Sequence, residues 1–277
     1  VLMNHKLNAF GNPVNFNDLY EAFRYYKMAI DKGYVKAMYE YAELLKQTNI
    51  NLPEAAKYYK MAADKGSIKS MVKYGQMLKT GRGCHIDYKE AVKYFKMAID
   101  YGNSEAMASY AYCLSHGEGV PQNKAEAINY YKMAIDKGDP TAMNNYGFML
   151  KHGDGCPINY KEALKYFKMS ADRGDSVGMF NYAQMKEDGL GCKIDLIEAK
   201  KYYILANKYG FRESVYDVAR VNSMISNDPI LFNDPTIKLM NNMENCLKSV
   251  YNLGKNFAQN INTYCNFDGG IVTALSY

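Results

Sequence analysis

The sequence predicts an all-α fold, a superhelical solenoid (α-α superhelix) of tandem helix pairs that repeat every 36 residues. Three observations support this fold class. A segment with a constant pattern of Glu, Ala, Tyr and Gly recurs six times along the chain. A second segment with its own pattern alternates with the first. Turn-forming residues separate the two segments at corresponding positions, and such periodicity is the sequence signature of repeat architectures.

The first segment predicts a helix, which we name helix B. Its first copy reads Glu-Ala-x-x-Tyr-Tyr-Lys-Met-Ala-x-Asp-Lys-Gly and extends from Glu21 to Gly33. The small and aromatic positions lie at offsets 1, 4, 5 and 8 from the Glu. At about 100° per residue these offsets share one helix face. The later copies begin after steps of 33, 36, 36, 36 and 36 residues, at Glu54, Glu90, Glu126, Glu162 and Glu198.

Both ends of helix B carry recognisable signals. An Asp or Asn precedes each Glu by three residues, where its side-chain oxygen can accept a backbone N–H of the first turn. We expect the Glu to accept the backbone N–H of that cap residue, as in a capping box. A glycine in the left-handed conformation is expected to end each helix. The predicted caps are Asp18, Asn51, Asp87, Asn123, Asn159 and Asp195, and the glycines are Gly33, Gly66, Gly102, Gly138, Gly174 and Gly210.

The alternating segment predicts a second helix, helix A, with the pattern small-Met-x-x-Tyr-(Ala/Gly)-x-x-(Leu/Met)-Leu. Its offsets 0, 1, 4, 5 and 8 also share one face, and the Ala or Gly at offset 5 lets the partner helix approach closely. Four copies end at a Gly-x-Gly loop, whereas the first copy has Gln47-Thr48-Asn49-Ile50 instead. The copies start at Ala37, Ser70, Ala106, Ala142 and Gly178, with a degenerate copy at Ser214.

These residues resemble the Sel-one-like repeat (SLR), a relative of the tetratricopeptide repeat. The residues that match the family pattern in one copy are Ala106, Ala111, Gly117, Gly119, Val120, Asn123, Ala127, Tyr130, Tyr131, Ala134 and Gly138. This chain departs from the pattern in having Tyr at the Leu position of helix A and Tyr in place of the Trp of helix B. The resemblance covers residues 18–220. It implies a right-handed superhelix with helix A on the concave surface, and adaptor roles in signalling complexes or in endoplasmic-reticulum protein quality control.

Three regions are predicted: an N-terminal segment over 1–17, a solenoid of about six repeats over 18–220, and a C-terminal linker and helix over 221–277. In the last region, apolar residues recur at a spacing of three to four between Ile237 and Ile261. We interpret this amphipathic helix as a terminal cap, which repeat arrays require. The alternative is a segment that folds back into the groove or docks on a partner.

Composition and motifs argue against several function classes. The 34 basic and 29 acidic residues contain no run of like charge, so we expect no nucleic-acid partner. No apolar stretch approaches the length of a membrane span. The Gly-x-Gly loops follow a helix rather than a strand, which argues against phosphate binding. We expect no catalytic residues, no cofactor and no metal site. The absence of a glycosylation sequon and of a disulfide framework favours a cytoplasmic location.

Helix B also carries a ridge of Lys and Arg at offsets 3 and 6, on the side opposite its apolar face. This ridge resembles a surface for anions or membranes. However, the Glu at offset 0 lies one helical turn from the offset-3 cation and compensates part of its charge. We therefore interpret the ridge as a solvated convex face.

In helix A, by contrast, the residues at offsets 2, 3 and 6 vary between copies and are predicted to face away from the core. The last three complete copies combine aromatic and amide side chains there, which offer rigid anchors and hydrogen bonds to an extended peptide. The alternative is that these aromatic rings pack against the helix of the next repeat. The predicted partner-binding residues are Tyr112, Asn144, Asn145, Phe148, Phe180, Asn181 and Gln184.

The function predicted from these features is a scaffold or adaptor that binds a protein or peptide on the concave face of the solenoid. The alternative is a regulatory or substrate-recruiting module of a larger enzyme, such as a kinase or a ubiquitin-ligase assembly. Neither function requires the chain itself to be an enzyme.

Overall fold

The computed structural model describes residues 16–227, and side chains from residue 19 onward. Over that range the chain forms twelve α-helices and no strand. The odd-numbered helices are copies of helix B, and the even-numbered helices are copies of helix A. Their bounds are α1 (Phe16–Asp31), α2 (Val35–Thr48), α3 (Leu52–Asp64), α4 (Ile68–Thr80), α5 (Tyr88–Asp100), α6 (Ser104–His116), α7 (Lys124–Asp136), α8 (Pro140–His152), α9 (Tyr160–Asp172), α10 (Ser176–Asp188), α11 (Leu196–Lys208) and α12 (Ser214–Ser226).

The chain divides into two compact units, residues 1–166 and 167–277, and the division falls within α9. In unit 1, α2 packs on α3, α4 on α5 and α6 on α7; in unit 2, α10 packs on α11 and α11 on α12. This consecutive packing confirms the all-α helical-repeat fold. The division into 1–17, 18–220 and 221–277 stays a prediction, although the described helices begin at Phe16 and continue to Ser226. The predicted C-terminal helix lies outside the described residues.

The predicted N-caps of helix B are confirmed in five copies. The Asn51 side chain accepts the backbone N–H of Glu54 at 3.0 Å, and Asp87, Asn123, Asn159 and Asp195 accept the corresponding N–H in their own helices. The prediction is wrong for Asp18, which lies inside α1 because that helix begins at Phe16.

The second half of the predicted capping box is also wrong. The backbone N–H of the cap residue does not bond to the Glu of its own helix. It donates instead to a carbonyl near the end of the preceding helix A. The four bonds are Asp87 to Leu78 at 3.0 Å, Asn123 to Leu114 at 2.8 Å, Asn159 to Leu150 at 2.9 Å and Asp195 to Lys186 at 2.9 Å. In these four copies the bond closes the turn, and it leaves the Glu free to bond elsewhere, as Glu198 does with the hydroxyl of Tyr182 at 3.0 Å.

The Gly-x-Gly loops bring each turn against the preceding helix B. Gly83 has a φ of 79°, and a Cβ there would lie 2.3 Å from the carbonyl oxygen of Leu52, the first residue of α3. Gly119 has a φ of 72°, and its Cβ would lie 2.4 Å from the carbonyl oxygen of Tyr88, the first residue of α5. Glycine is therefore required for both its backbone conformation and its lack of a side chain. In the first copy, Asn49 takes the left-handed conformation, with a φ of 57°.

The core between paired helices combines small residues with tyrosine pairs. Ala42, Ala111 and Ala183, all at offset 5 of helix A, are completely buried. The Tyr at offset 4 meets a Tyr of the following helix B edge to face, a favourable geometry for aromatic rings. The ring centroids are 4.8 Å apart for Tyr41 and Tyr58, 4.9 Å for Tyr74 and Tyr94, 4.9 Å for Tyr110 and Tyr130, 4.9 Å for Tyr146 and Tyr166, and 4.6 Å for Tyr182 and Tyr202.

The lysine ridge of helix B is partly a packing feature. The lysine at offset 6 lies over the offset-4 Tyr of the next helix A, as a cation–π contact. These contacts join Lys27 to Tyr41, Lys96 to Tyr110, Lys132 to Tyr146 and Lys168 to Tyr182, at 5.7, 5.1, 5.6 and 5.8 Å from the ring centroid. The offset-3 cations are exposed, and two of them pair with the Glu of their own helix as predicted, Lys93 with Glu90 and Lys165 with Glu162.

None of the helices described between residues 16 and 227 is both long enough and apolar enough to cross a membrane.

We predict that Gly75→Leu lowers the free energy of unfolding by about 1–3 kcal/mol through overpacking. A Cβ at Gly75 would already lie 2.6 Å from Cε1 of Phe95, which is completely buried and cannot move aside freely. Urea denaturation followed by circular dichroism measures the change. The control, Lys69→Leu at an exposed position of the same helix, should shift the stability by less than about 0.5 kcal/mol. Equal stability of the two variants would contradict the described helix crossing.

We also predict that Asn123→Ala lowers the free energy of unfolding by about 1 kcal/mol, because the N-cap hydrogen bond to Glu126 is lost. Asn123→Asp should retain the stability, since aspartate caps equally well. The matched control is Asn129→Ala, the same substitution at an exposed interior position of α7. Because Ala has the higher helix propensity, that variant should be as stable as the original chain or slightly more stable.

Candidate partner-binding groove

A groove of about 450 Å³ lies on the helix-A side of unit 1. Helices α4 and α6 supply most of its lining, and we name it the α4–α6 groove. Lys46 of α2 borders it on one side, and Thr141 and Asn145 of α8 border it on the other. The groove is therefore built from four successive copies of helix A, as the resemblance implied for the binding surface.

Tyr112 of α6 is the aromatic side chain of the groove lining. Its ring stacks on His116, one turn later on the same helix, with centroids 4.0 Å apart and planes at 17°. The ammonium of Lys79 from α4 lies 3.7 Å from the ring centroid. Burial, together with the nearby carboxylate of Glu118, raises the pKa of the Tyr112 hydroxyl. The ring is thus neutral, half-buried and held by neighbours from two repeats.

Asn145 is the second predicted residue in this groove, and Asn144 supports it from below the surface. Asn145 is half-buried, and its side-chain oxygen accepts a hydrogen bond from Nδ2 of Asn144 at 3.2 Å. Asn144 itself is only 8 % exposed. The expectation that offset 2 of helix A faces away from the core is wrong here, and it is also wrong for Val72 and Ala108. The reason is that α6 packs against both α4 and α8, which encloses the offset-2 position between neighbouring copies of helix A.

Phe148 lies one turn after Asn145 on α8, but it is not part of the groove lining. It is 50 % exposed, and its ring centroid lies 4.2 Å from that of His152. The Phe148–His152 pair therefore repeats the Tyr112–His116 pair of the previous copy. Both pairs place a histidine of the last helical turn against an aromatic ring of the same helix.

The remaining predicted residues belong to unit 2. Phe180 is half-buried, with its ring centroid 5.5 Å from that of Tyr203 and 4.5 Å from that of Phe211. Phe180 therefore packs against α11, the helix B of its own repeat, and against the loop that follows α11, and its role in partner binding stays a prediction. Asn181 and Gln184 are half-buried on the same helix, α10.

Sequence analysis missed the charged residues of the groove. Lys46 and Lys79 occupy offset 9 of their copies of helix A. At about 100° per residue, offset 9 lies at about 180° around the helix axis, next to offset 2 at about 200°. This angle is the sequence signal that places the two lysines beside the offset-2 position. Arg82 occupies the middle of a Gly-x-Gly loop, and the helical pattern gives no direction for a loop side chain.

One ion pair in the groove joins neighbouring repeats. The ammonium of Lys73 on α4 lies 2.7 Å from Oε1 of Glu105 on α6, and Nε2 of Gln76 donates to the same oxygen at 2.9 Å. These contacts hold the Glu105 side chain, the one carboxylate among the described lining residues, between two donors from the preceding repeat. The pair is half-exposed, so its contribution to stability is small.

The described residues 16–227 contain no cluster of metal ligands. No group of three His, Cys, Asp or Glu side chains in this range could hold a metal ion. Cys113 of α6 is buried, and burial raises the pKa of its thiol to about 11, which makes it a poor nucleophile. The α4–α6 groove presents one aromatic ring, amide and hydroxyl groups, and charged side chains.

Comparison with protein families identifies the repeat. The Sel1 repeat matches residues 16–34, 35–67, 68–103, 104–139, 140–175 and 176–208. The chain belongs to the Sel1 repeat family. Five of the matched ranges combine a helix A with the following helix B, and the first contains α1 alone. The recognition of the Sel-one-like repeat from the sequence is therefore confirmed. No curated protein matches the chain.

Solved structures of the family share the fold. A protective antigen of uropathogenic Escherichia coli with an SLR fold matches with a TM-score of 0.59 and 25 % identity, over 76 % of this chain and 46 % of that protein. The chain thus spans less than half of that antigen. A Sel1 repeat protein of Oxalobacter formigenes matches with a TM-score of 0.59 and 24 % identity, over 73 % of this chain and 84 % of that one.

Proposed function

We propose that this Sel1 repeat chain is a scaffold that captures a protein or peptide partner in the α4–α6 groove. The fold supports a binding role, since stacked helix pairs create extended surfaces that repeat proteins use for recognition. The groove of about 450 Å³ supplies a defined place for side chains of a partner on that surface.

The observation that carries the proposal is the fixed ring of Tyr112. Interface hot spots are enriched in Tyr because a large ring buries much area while losing few rotamers. Contacts with Lys79 and His116 hold the Tyr112 ring before any partner arrives. A pre-organised ring reduces the entropy lost on binding, so more of the contact energy appears as affinity.

Around Tyr112 the groove offers short polar groups that adapt to an extended peptide. Ser109, Thr141 and Asn145 line it, and their hydroxyl and amide groups can donate or accept hydrogen bonds. Phe148, outside the lining but exposed on α8, extends the surface with a second ring. In unit 2, taken by itself, we propose that Asn181 and Gln184 on α10 also contact a partner, next to the packed ring of Phe180.

We predict that Tyr112→Ala reduces partner capture by tenfold or more, because truncation of an aromatic hot spot costs about 2 kcal/mol or more. Capture is measured by a photoreactive amino acid at Ser109, followed by quantitative mass spectrometry of the crosslinked protein. Tyr112→Phe should retain most of the capture, since the ring remains. The melting temperature of each variant shows that the array is still folded.

The control for this experiment is Tyr101→Ala. Tyr101 is the C-cap residue that follows α5; it is 65 % exposed and lies outside the groove lining. The same side chain is therefore removed from a different surface of the same unit. If Tyr101→Ala abolishes capture while Tyr112→Ala leaves it unchanged, the partner binds elsewhere and the proposed groove is wrong.

A further inference from the structure

Basic side chains dominate the charge of the α4–α6 groove. Its lining contains four cationic side chains and one carboxylate, that of Glu105. The cations come from three separate elements of the chain, α2, α4 and the loop after α4. They are Lys46, Lys73, Lys79 and Arg82.

Two of the four cations have a carboxylate partner. Lys73 pairs with Glu105 at 2.7 Å, and Lys46 lies 3.9 Å from Glu43 of its own helix. Lys79 and Arg82, in contrast, have no ion pair with any residue that the structure describes. The positive charge at the end of α4 is therefore not neutralised by a direct ion pair, and the Glu118 carboxylate near Tyr112 is not in ion-pair contact with either cation.

Lys79 is held in place without being neutralised. Its ammonium lies 3.7 Å from the centroid of the Tyr112 ring, and a ring face attracts a cation but leaves its charge unchanged. The ammonium carries three donors and accepts no hydrogen bond. Lys79 thus presents an oriented positive charge beside the aromatic anchor of the groove.

Apolar groups accompany these charges. Leu52, Met77 and Ala108 also line the groove, so a ligand meets both cations and apolar surface. A nucleic acid requires a basic track along its backbone and rings on which successive bases stack. The described groove has one lining aromatic ring and a limited volume, which suits a few side chains of a peptide better than a strand of nucleic acid.

We infer that the partner segment bound in the α4–α6 groove is acidic, with carboxylates that pair with Lys79 and Arg82 and an apolar side chain against Tyr112. This inference rests on the proposed function, and it adds the chemistry of the partner. Charge-assisted hydrogen bonds to carboxylates are stronger than neutral ones. Electrostatic attraction also accelerates association and selects against basic segments.

The first test uses an array of synthetic peptides with matched hydropathy that differ only in the number of carboxylates. Binding of the full chain should rise with the number of Asp and Glu residues and should be absent for the Asn/Gln and Lys counterparts. Added salt should weaken the binding, because exposed charges are screened. Equal binding of acidic and neutral peptides, or no binding to any peptide, would overturn the inference. So would tighter binding of a single-stranded oligonucleotide.

The second test removes the two charges. Lys79→Gln combined with Arg82→Gln should reduce binding of the acidic peptides by tenfold or more. The matched control is Lys57→Gln combined with Lys93→Gln, which removes the same charge from exposed positions of helix B outside the groove. That control should reduce binding by less than threefold. Melting temperatures of both double variants show whether each chain is folded. Equal losses in the two double variants would mean that net charge rather than the groove attracts the peptides.

Crosslinking separates a failure of this inference from a failure of the proposed function. If Tyr112→Ala abolishes capture but Lys79→Gln with Arg82→Gln does not, the groove binds a partner that is not acidic. The crosslinked segment, sequenced by mass spectrometry, should be rich in Asp and Glu; a neutral or basic segment contradicts the inference alone. If neither variant affects capture, the groove is not the binding site and both proposals are wrong.

Discussion

The hydrogen bond that closes four of the five described turns from helix A to helix B is the constraint on which the rest of the structure depends. The N-cap residue of helix B uses both of its polar groups: its side chain caps its own helix, and its backbone N–H bonds to the preceding helix A. A single Asp or Asn therefore determines where one helix ends and the next begins. Because the angle between paired helices follows from this turn, the small residues at offset 5 meet the rings of helix B, as Gly75 meets Phe95.

Contacts between neighbouring repeats hold the helix pairs side by side, and the adjacent helices together form a continuous surface. The offset-6 lysine of each helix B reaches the tyrosine of the next helix A, as Lys96 reaches Tyr110. On the other side of the array, Lys73 and Glu105 join α4 to α6, and Lys79 reaches Tyr112. The groove exists only because successive copies of helix A are held side by side. In a repeat protein each unit contacts chiefly its neighbours, so such a groove belongs to several repeats at once.

Local features were predictable from the sequence, and cross-repeat features were not. The cap at Asn123 and the left-handed glycines depend on interactions within a few residues, which a repeated pattern reveals directly. The burial of Asn144 and the position of Lys79 over Tyr112 depend on how one helix A lies against the next. Helical angles computed for an isolated helix do not contain that information. Tyr112, Asn145 and Lys79 can be placed on one side of helix A by their helical angles, whereas Arg82 lies in a loop for which the helical pattern gives no direction.

The close approach of Gly83 to Leu52, and of Gly119 to Tyr88, has a consequence for how such a chain can grow. Each loop fits the first residue of the helix B that came before it, so the loop is shared by two successive pairs. A duplicated stretch of DNA whose length is not a whole number of periods would join a loop glycine to the wrong helix start. A duplication that carries one whole period brings both halves of the fit with it, wherever it begins. The constant 36-residue step over the later copies is the length at which this array can be extended without new misfits.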